Sequence, residues 1–539
     1  MIWGVMWKYT AEHFTDEESL VLSRYFTNLD KPVFALVNLP EVVKGALFAR
    51  YSRSAKSLRR LFLDEFYNTG DPGAVLGVAG VTRAEALYER MLAEYGDDSV
   101  AQLGGVHLAC EQASNILTKV LERGRLMAYL EQSTRYVPYD RPMPDGSYRY
   151  YVPDEVTSSG MGDMFRKHMN SLFAAYSHVV EAVETRLFAS VPKDDGDSDF
   201  VYRSSIRSLA LDTARGILPA CVLSNVGIYG SAQAFEALVL RMRASELAEV
   251  RTYAEMIKAE LDKVIPAFLI RLDRSDRGGI WVEYLEERRK PAGGVHVPDS
   301  SGSGEGDDVS VRLLRFDEDG ERRIAAGIIF AQSGCSMSIA QEMADSLTNN
   351  DLYRLISEYA GKRRNRRHKP GRAFEETSYL FEIECDYGAF RDLQRHRMLS
   401  IEWQLLGTSL GYAVPDLIHD FELEEQYKAV MERSKEVYEM LAKVCSRAVS
   451  AYAVPMAYRI RFTMSLNARE AFHLIELRSL PQGHSSYRKV AQAMYRSIET
   501  VARHKCVAAA MKFVDLGDYR LGRLTSLREE ERKNQKISK

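Results

Sequence analysis

Apolar positions along this chain recur with a helical period over most of its length, interrupted by short stretches of strand-like alternation. Phe14-Thr-Asp-Glu-Glu-Ser19 reads as a helix start, a hydroxyl ahead of an acidic first turn. Pro40-Glu-Val-Val-Lys-Gly-Ala-Leu-Phe-Ala-Arg50 reads as a helix opened by proline. Residues 84 to 130 read as two helices broken at Tyr95-Gly-Asp-Asp-Ser99, and residues 160 to 265 as mostly helical. Between them the period-two spacing of Glu131, Ser133 and Arg135 puts all three on one side of an extended segment.

The periodicity stops at residues 291 to 310. Pro291-Ala-Gly-Gly and Asp299-Ser-Ser-Gly-Ser-Gly-Glu-Gly-Asp-Asp308 are Gly/Ser-rich and acidic, the composition of a flexible linker. It divides the chain into an N-terminal domain, 1–290, and a C-terminal domain, 311–539, and sits where a duplicated protein would have its joint. Beyond it, 311–317 and 324–330 read as two strands about Asp317-Glu-Asp-Gly320, a hairpin signal. A helical stretch leads to Lys362-Arg-Arg-Asn-Arg-Arg-His-Lys-Pro-Gly-Arg372, the most basic run in the chain. Tyr379-Leu-Phe-Glu-Ile-Glu384 is strand-like, and 387–406 and 467–478 carry helical spacing. The charged tail from Ser526 is expected to fray.

Composition narrows the class. At 539 residues the chain exceeds one ordinary core, and 46% apolar with 27% charged residues is the balance of a soluble globular protein. A formal charge of -3 argues against a bulk electrostatic nucleic-acid binder. No apolar run is long enough to span a bilayer and no signal peptide is evident, so a cytoplasmic location is expected. Six scattered cysteines (110, 221, 335, 385, 445, 506) lack metal-ligand or disulfide-framework spacing and read as buried thiols.

The candidate chemistry centres on Arg395-His-Arg-Met-Leu-Ser400. On a helix, Arg395 and Arg397 would point about 200° apart while Arg397 and Ser400 share a side. Such a helix offers anion sites on two faces; the alternative is a solvated basic turn. Arg50, Arg53, Arg59 and Arg60 pose the same choice, with a solvated face favoured for each. The loop at 362–372 reads as a receiver for a flavin or folate anion, with nucleic acid the weaker reading.

Arg395-His-Arg-x-x-Ser resembles the start of the signature of flavin-dependent thymidylate synthases, Arg-His-Arg-x-x-Ser-x-Asn-Glu-x-Ser-x-Arg-Tyr. Its second part is lost after Ser400, where Glu402 and Trp403 replace Asn-Glu. Arg123-Gly-Arg-Leu-Met-Ala-Tyr-Leu-Glu-Gln-Ser-Thr-Arg-Tyr136 fits the same fourteen-residue frame, with Gly124, Ala128 and Leu130 as the departures. Each copy is degenerate and the two are complementary. Ala214-Arg-Gly-Ile-Leu-Pro219 resembles the family's Ala-Arg-x-x-Leu-Pro, and Ala237-Leu-Val-Leu-Arg241 the Leu-Arg end of a third element. Asn467-Ala-Arg-Glu-Ala-Phe-His-Leu-Ile-Glu-Leu-Arg478 resembles that third element in full. The departures are Asp97 in the Tyr-Gly-His-x-Ser element, Ala451 opposite Arg215, and Gln482-Gly-His-Ser-Ser-Tyr-Arg488 where relatives have Ala-Gln-Trp-Glu-Ile-Arg.

The resemblance implies an α+β fold in two tandem copies, each helix-rich with a small antiparallel sheet. It implies reductive methylation of dUMP to dTMP, with FAD as cofactor and NADPH and methylenetetrahydrofolate as co-substrates. Arg123, Glu131, Ser133, Arg135, Tyr136 and Arg215 would hold dUMP. His368, Arg395, His396, Arg397, Asn467 and Arg469 would hold FAD. Arg478 and Arg241 would face the uracil, and no metal is called for. The implied site is composite, between the halves, with two chains forming a pseudo-tetramer. A different pyrimidine nucleotide as substrate, or a catalytically silent nucleotide-binding protein, are the open alternatives.

Overall fold

A computed structural model describes residues 12–51, 54, 56–67, 102–143, 146–194, 197–290, 309–519, 522 and 528. The Tyr95–Ser99 element with Asp97, Arg53, the linker at 291–308 and nearly all of the tail lie outside the described residues. The chain divides into two compact units. The first comprises Met1–Cys110, Leu126–Leu130 and Val226–His296; the second Glu111–Arg125, Glu131–Asn225 and Val297–Lys539.

In the first unit, Thr15 and Glu18 form the capping box that the acidic first turn announces. Glu41–Tyr51 is helical directly after Pro40. Phe26, Leu47 and Phe62 are buried, as are Phe235, Leu238 and Val239 on the helix Ala232–Arg243. Arg50, Arg59 and Arg60 are each spent within this unit. Arg50 pairs with Glu65, Arg60 with Glu12 and Glu18, and Arg59 is buried with its guanidinium 3.8 Å from the Phe34 ring.

Strands β1 (Gly105–Ser114), β2 (Met127–Glu131) and β3 (Leu223–Ser231) form a sheet in the order β1-β3-β2. The expectation of two helices over 84–130 therefore fails at 105–114: Val106, Cys110 and Ala113 are buried from a strand, and the helix Asn115–Leu121 follows it. Cross-strand pairing outweighs local propensity there.

The second unit is built on a four-stranded antiparallel sheet, ordered β4 (Ser310–Phe316), β5 (Ser378–Asp386), β7 (Arg459–Asn467), β6 (Ser400–Trp403). Tyr379, Phe381, Ile383 and Cys385 alternate into the core from β5, facing Ile460, Phe462 and Met464 across the ladder. Two expectations are corrected here. Residues 320–332 are helical rather than a strand, because Ile324, Ala325 and Ile328 bury one helical face while β5 takes the edge of β4 (Val311 opposite Ile383). Arg395 to Ser400 are not helical either. The helix Tyr387–Leu393 stops short of them, and Ser400–Trp403 pairs with β7 from Ser465 to Phe462.

Arg123–Arg125 and Glu131–Tyr136 of the first motif copy lie in this unit together with the whole of the second copy. Pro219 bridges Pro455, Ala220 N–H donates to Val454 O at 2.8 Å, and Met456 N–H returns to Leu218 O at 2.9 Å. The long helices Gly162–Ser190 and Glu424–Ala442 touch through His168 Nε2 and Ser434 Oγ at 3.1 Å. Arg123 pairs with Glu402 and Arg125 donates to Ser400 Oγ, each at 2.8 Å. No helix among the described residues is long and apolar enough to cross a membrane.

Candidate functional site

A buried ion network joins the two copies. Glu131, at the end of β2, accepts from Arg391 Nη2 at 2.7 Å and lies 3.4 Å from Lys119 Nζ and 3.7 Å from Arg395. Burial alone would raise its carboxyl, but Arg391, Lys119 and Arg395 hold it at about 2. Lys119 also pairs with Glu122 at 2.6 Å, and burial pushes that carboxyl up. Asp392 faces Arg395 at 2.6 Å, Arg478 at 3.7 Å and Arg215 at 3.8 Å; despite burial, those three keep it ionised. Arg391 and Asp392 are placed by the helix Tyr387–Leu393, whose start Asp386 caps through Ala389 N–H.

Arg135 leaves the turn after β2 and grips Asp212 with two parallel bonds of 2.7 Å. Its Nη1 donates to Tyr487 Oη and its Nη2 to Gln482 O, both at 3.1 Å. The Tyr487 ring stands 5.4 Å from the Arg478 guanidinium, and Arg478 Nε donates to His396 Nε2 at 3.0 Å. Arg135 of the first copy and His396 of the second are thus linked through Tyr487 and Arg478.

This machinery opens on a cleft. A cavity of about 220 Å³ is lined by Arg135, Asp212, Gln482, His484 and Tyr519. A smaller one of about 50 Å³ shares Asp212 and His484 and adds Arg215, Asp386, Ser486 and Lys489. Arg215 is buried and its Nη2 has no hydrogen-bond partner, an arrangement that costs free energy unless a ligand or water completes it. Across the network and the two cavity walls, seven cations (Lys119, Arg135, Arg215, Arg391, Arg395, Arg478, Lys489) meet seven carboxylates (Glu122, Glu131, Asp212, Asp386, Asp392, Asp416, Asp518), so the charges are matched one for one. His484 is pushed down to about 4 by burial and by Arg215; its Nδ1 accepts from Ser486 N–H, which leaves the ring proton on Nε2.

A third cavity, about 110 Å³, lies where the two Arg-x-Arg turns meet and is lined by Glu122, Arg123, Arg125, Gln394, His396 and Arg397. Glu122 Oε1 and Gln394 Oε1 are buried there without partners. His396, Glu470 and His473 bring three possible metal-ligating atoms within 4.8 Å of one another. Arg478, a pure donor, occupies the lone pair of His396 Nε2 and so puts the ring proton on Nδ1, toward Glu470 at 3.3 Å. A metal on Nδ1 would have to expel that proton and break the arginine bond. The trio is therefore a hydrogen-bonded chain, His396 to Glu470 to His473, with His396 held down to about 4 by burial.

The structure gathers Glu131, Arg135, Arg215, Arg395, His396 and Arg478, and sets Arg123, Arg125 and Arg397 around the third cavity. Other expected site residues go elsewhere. Ser133 Oγ accepts from Arg135 N–H, and Tyr136 is exposed. Asn467 caps its own helix through Glu470 N–H, and Arg469, two residues on, reaches Pro370 O and Glu375. The helix Ala468–Arg478 therefore sets Asn467 and Arg469 apart from Arg478, which bonds His396. His368 is exposed and bonded within its own loop to Asn365 and Arg364. Arg241 lies in the first unit, where its carbonyl accepts from Arg289. Sequence reasoning missed Lys119, Arg391, Asp212, His484 and Tyr487. Asp212 stands three residues before Arg215 on one helix face, and Arg391 four before Arg395, spacings that pointed to them.

The family model described as thymidylate synthase complementing protein matches residues 48–267 and 312–502. A UPF0159 protein of Chlamydia muridarum is 38% identical over 522 residues, covering 95% of this chain and 97% of the relative. A UPF0159 protein of Thermoplasma acidophilum is 33% identical over 523 residues, covering 92% and 99%. A flavin-dependent thymidylate synthase of a Mycobacterium species (strain JLS) is 27% identical over 190 residues, covering 34% of this chain and 69% of the relative.

Proposed function

The chain belongs to the thymidylate synthase complementing protein family, and from that premise we propose that it methylates dUMP to dTMP in one composite site built by both copies. Arg135 and Arg215 take the nucleotide phosphate, Arg478 polarises the uracil from its seat on His396 and Tyr487, and the buried network behind them fixes all three arginines. Clustered guanidiniums suit this task because they stay charged when water is excluded. The observation that carries the reading is Arg215: a buried cation with an unpartnered Nη2 on the wall of a cavity.

The third cavity fits a flavin in its chemistry. Unpartnered acceptors on Glu122 and Gln394 flanked by the donors of Arg123, Arg125 and Arg397 complement a ring edge that alternates C=O, N–H and C=O. FAD bound there would supply reducing equivalents, renewed by NADPH, while methylenetetrahydrofolate supplies the carbon. Two chains pair into a pseudo-tetramer to complete the flavin site.

The test is direct. The purified protein is expected to be yellow and to release tritium from dUMP labelled at C5 of the base. Arg215→Gln and Arg478→Gln each cut that release at least about 10-fold, the cost of one charge-assisted hydrogen bond. A colourless protein that takes up no flavin, or two variants with full release, defeats the proposal. Release from UMP in place of dUMP redirects it to another pyrimidine nucleotide.

A further inference from the structure

The basic loop at 362–372 is not an unstructured run of charge. Arg363 turns inward from it and is buried, its guanidinium bonded to Glu476 at 2.6 Å and set 5.0 and 5.2 Å from the rings of Phe472 and Phe513. The same guanidinium donates back to His368 O at 2.6 Å and Arg366 O at 3.4 Å, closing the loop on itself. Asn365 Oδ1 takes Arg367 N–H, and Arg469 holds Pro370 O at 2.9 Å. Both braces, Glu476 and Arg469, stand on the helix Ala468–Arg478.

The remaining cations face outward. Lys362, Arg364, Arg367 and Lys369 are exposed and Arg366 is half-buried. None of these five pairs with a carboxylate among the described residues, whereas surface arginines such as Arg274, Arg323 and Arg433 do. Their mutual repulsion is tolerated because the turn is fixed from inside by a desolvated ion pair.

We propose that this braced turn is a docking surface for the phosphodiester backbone of a nucleic-acid strand. Outward-splayed cations suit an extended polyanion, whereas a small anion needs a concave site that buries most of it. Arginine outnumbers lysine on the turn, and guanidinium forks match phosphate oxygens in pairs. The run has no Phe, Tyr or Trp to stack on bases, so binding reads no sequence. Its one apolar side chain, Pro370, is buried, which leaves nothing to insert into a lipid surface.

The full-length protein is titrated into a fluorescently labelled, mixed-sequence single-stranded DNA of about 20 nucleotides, and anisotropy is followed against salt. With five cations engaged, log K falls against log salt with a slope of about -3.5. The triple variant Arg364→Gln/Arg367→Gln/Lys369→Gln, which touches only exposed side chains, binds at least about 10-fold more weakly with a slope of about -1.4. No binding at low salt, equal binding by the variant, or binding to phosphatidylserine vesicles without binding to DNA overturns the proposal. None of these readouts depends on flavin or on methylation, so it stands or falls apart from the proposed activity.

Discussion

Replacing Glu131 by glutamine tests whether the buried network holds the two copies together. The side chain touches Arg391, Lys119 and Arg395, so its role is to orient cations and not to meet a ligand. Its carboxyl is held at about 2 against an ordinary 4.5, a shift worth about 3 kcal/mol at neutral pH. The sign follows from the direction. A depressed carboxyl stabilises the fold above its unfolded value, and that stability drains away as pH falls from about 4.5 through about 2. Glu131→Gln keeps the shape and one acceptor but discards the charge, so at pH 7 the variant is weaker by about 3 kcal/mol, the scale of breaking a buried pair. At pH 3 the wild-type carboxylate has lost more than half of its contribution, and the gap narrows accordingly. Urea unfolding of both proteins at the two pH values measures it. A variant within about 1 kcal/mol of wild type at pH 7, or a gap that stays constant or widens on acidification, refutes the reasoning.

Arg363→Met strands Glu476 without its partner and costs about 3–5 kcal/mol in thermal unfolding, while adding Glu476→Leu recovers most of it. His396 is held neutral near 4, so its ring-proton NMR signals do not titrate between pH 8 and 5; stability is lost as pH falls from about 6.5 toward 4, because the unfolded chain takes up the proton first. Tyr487→Phe removes the acceptor of Arg135 Nη1 but keeps the ring beside Arg478, and weakens dUMP binding by about 1–3 kcal/mol in calorimetry; Tyr487→Ala costs more.

Much of this was legible in the chain, for identifiable reasons. Caps, the strand at 379–384 and the helix ending in Arg478 are local, and hydroxyls, alternation and helical spacing write them directly into the sequence. The strand at 105–114 and the helix at 320–332 were not, because each is decided by a partner far along the chain: β3 for the first, and for the second the loss of the β4 edge to β5. The motif arginines were readable as types, but their counter-ions were not. Asp212, Asp392 and Glu131 are ordinary acids until folding buries each against a guanidinium. Asn467 and Arg469 show the converse: a side chain with a nearby backbone amide or carbonyl to satisfy is spent on it, whatever motif it belongs to.

The meeting of the two copies explains where the motifs have diverged. Glu122 and Gln394 occupy the same place, one residue before each Arg-x-Arg; both line one small cavity and each has a buried oxygen without a partner. In a symmetric pair of identical chains the two positions would be identical. Two glutamates would set like charges face to face in a desolvated space, and one of the pair would take up a proton. Two glutamines would leave Lys119 without its 2.6 Å partner. A single polypeptide escapes the choice by carrying one of each. Arg215 and Ala451 follow the same logic across the Pro219–Pro455 bridge: the first keeps a buried cation balanced by Asp392, and a second arginine at 451 would have needed a carboxylate of its own. Divergence at these positions is what charge balance in a shared interior demands once the two copies are free to differ.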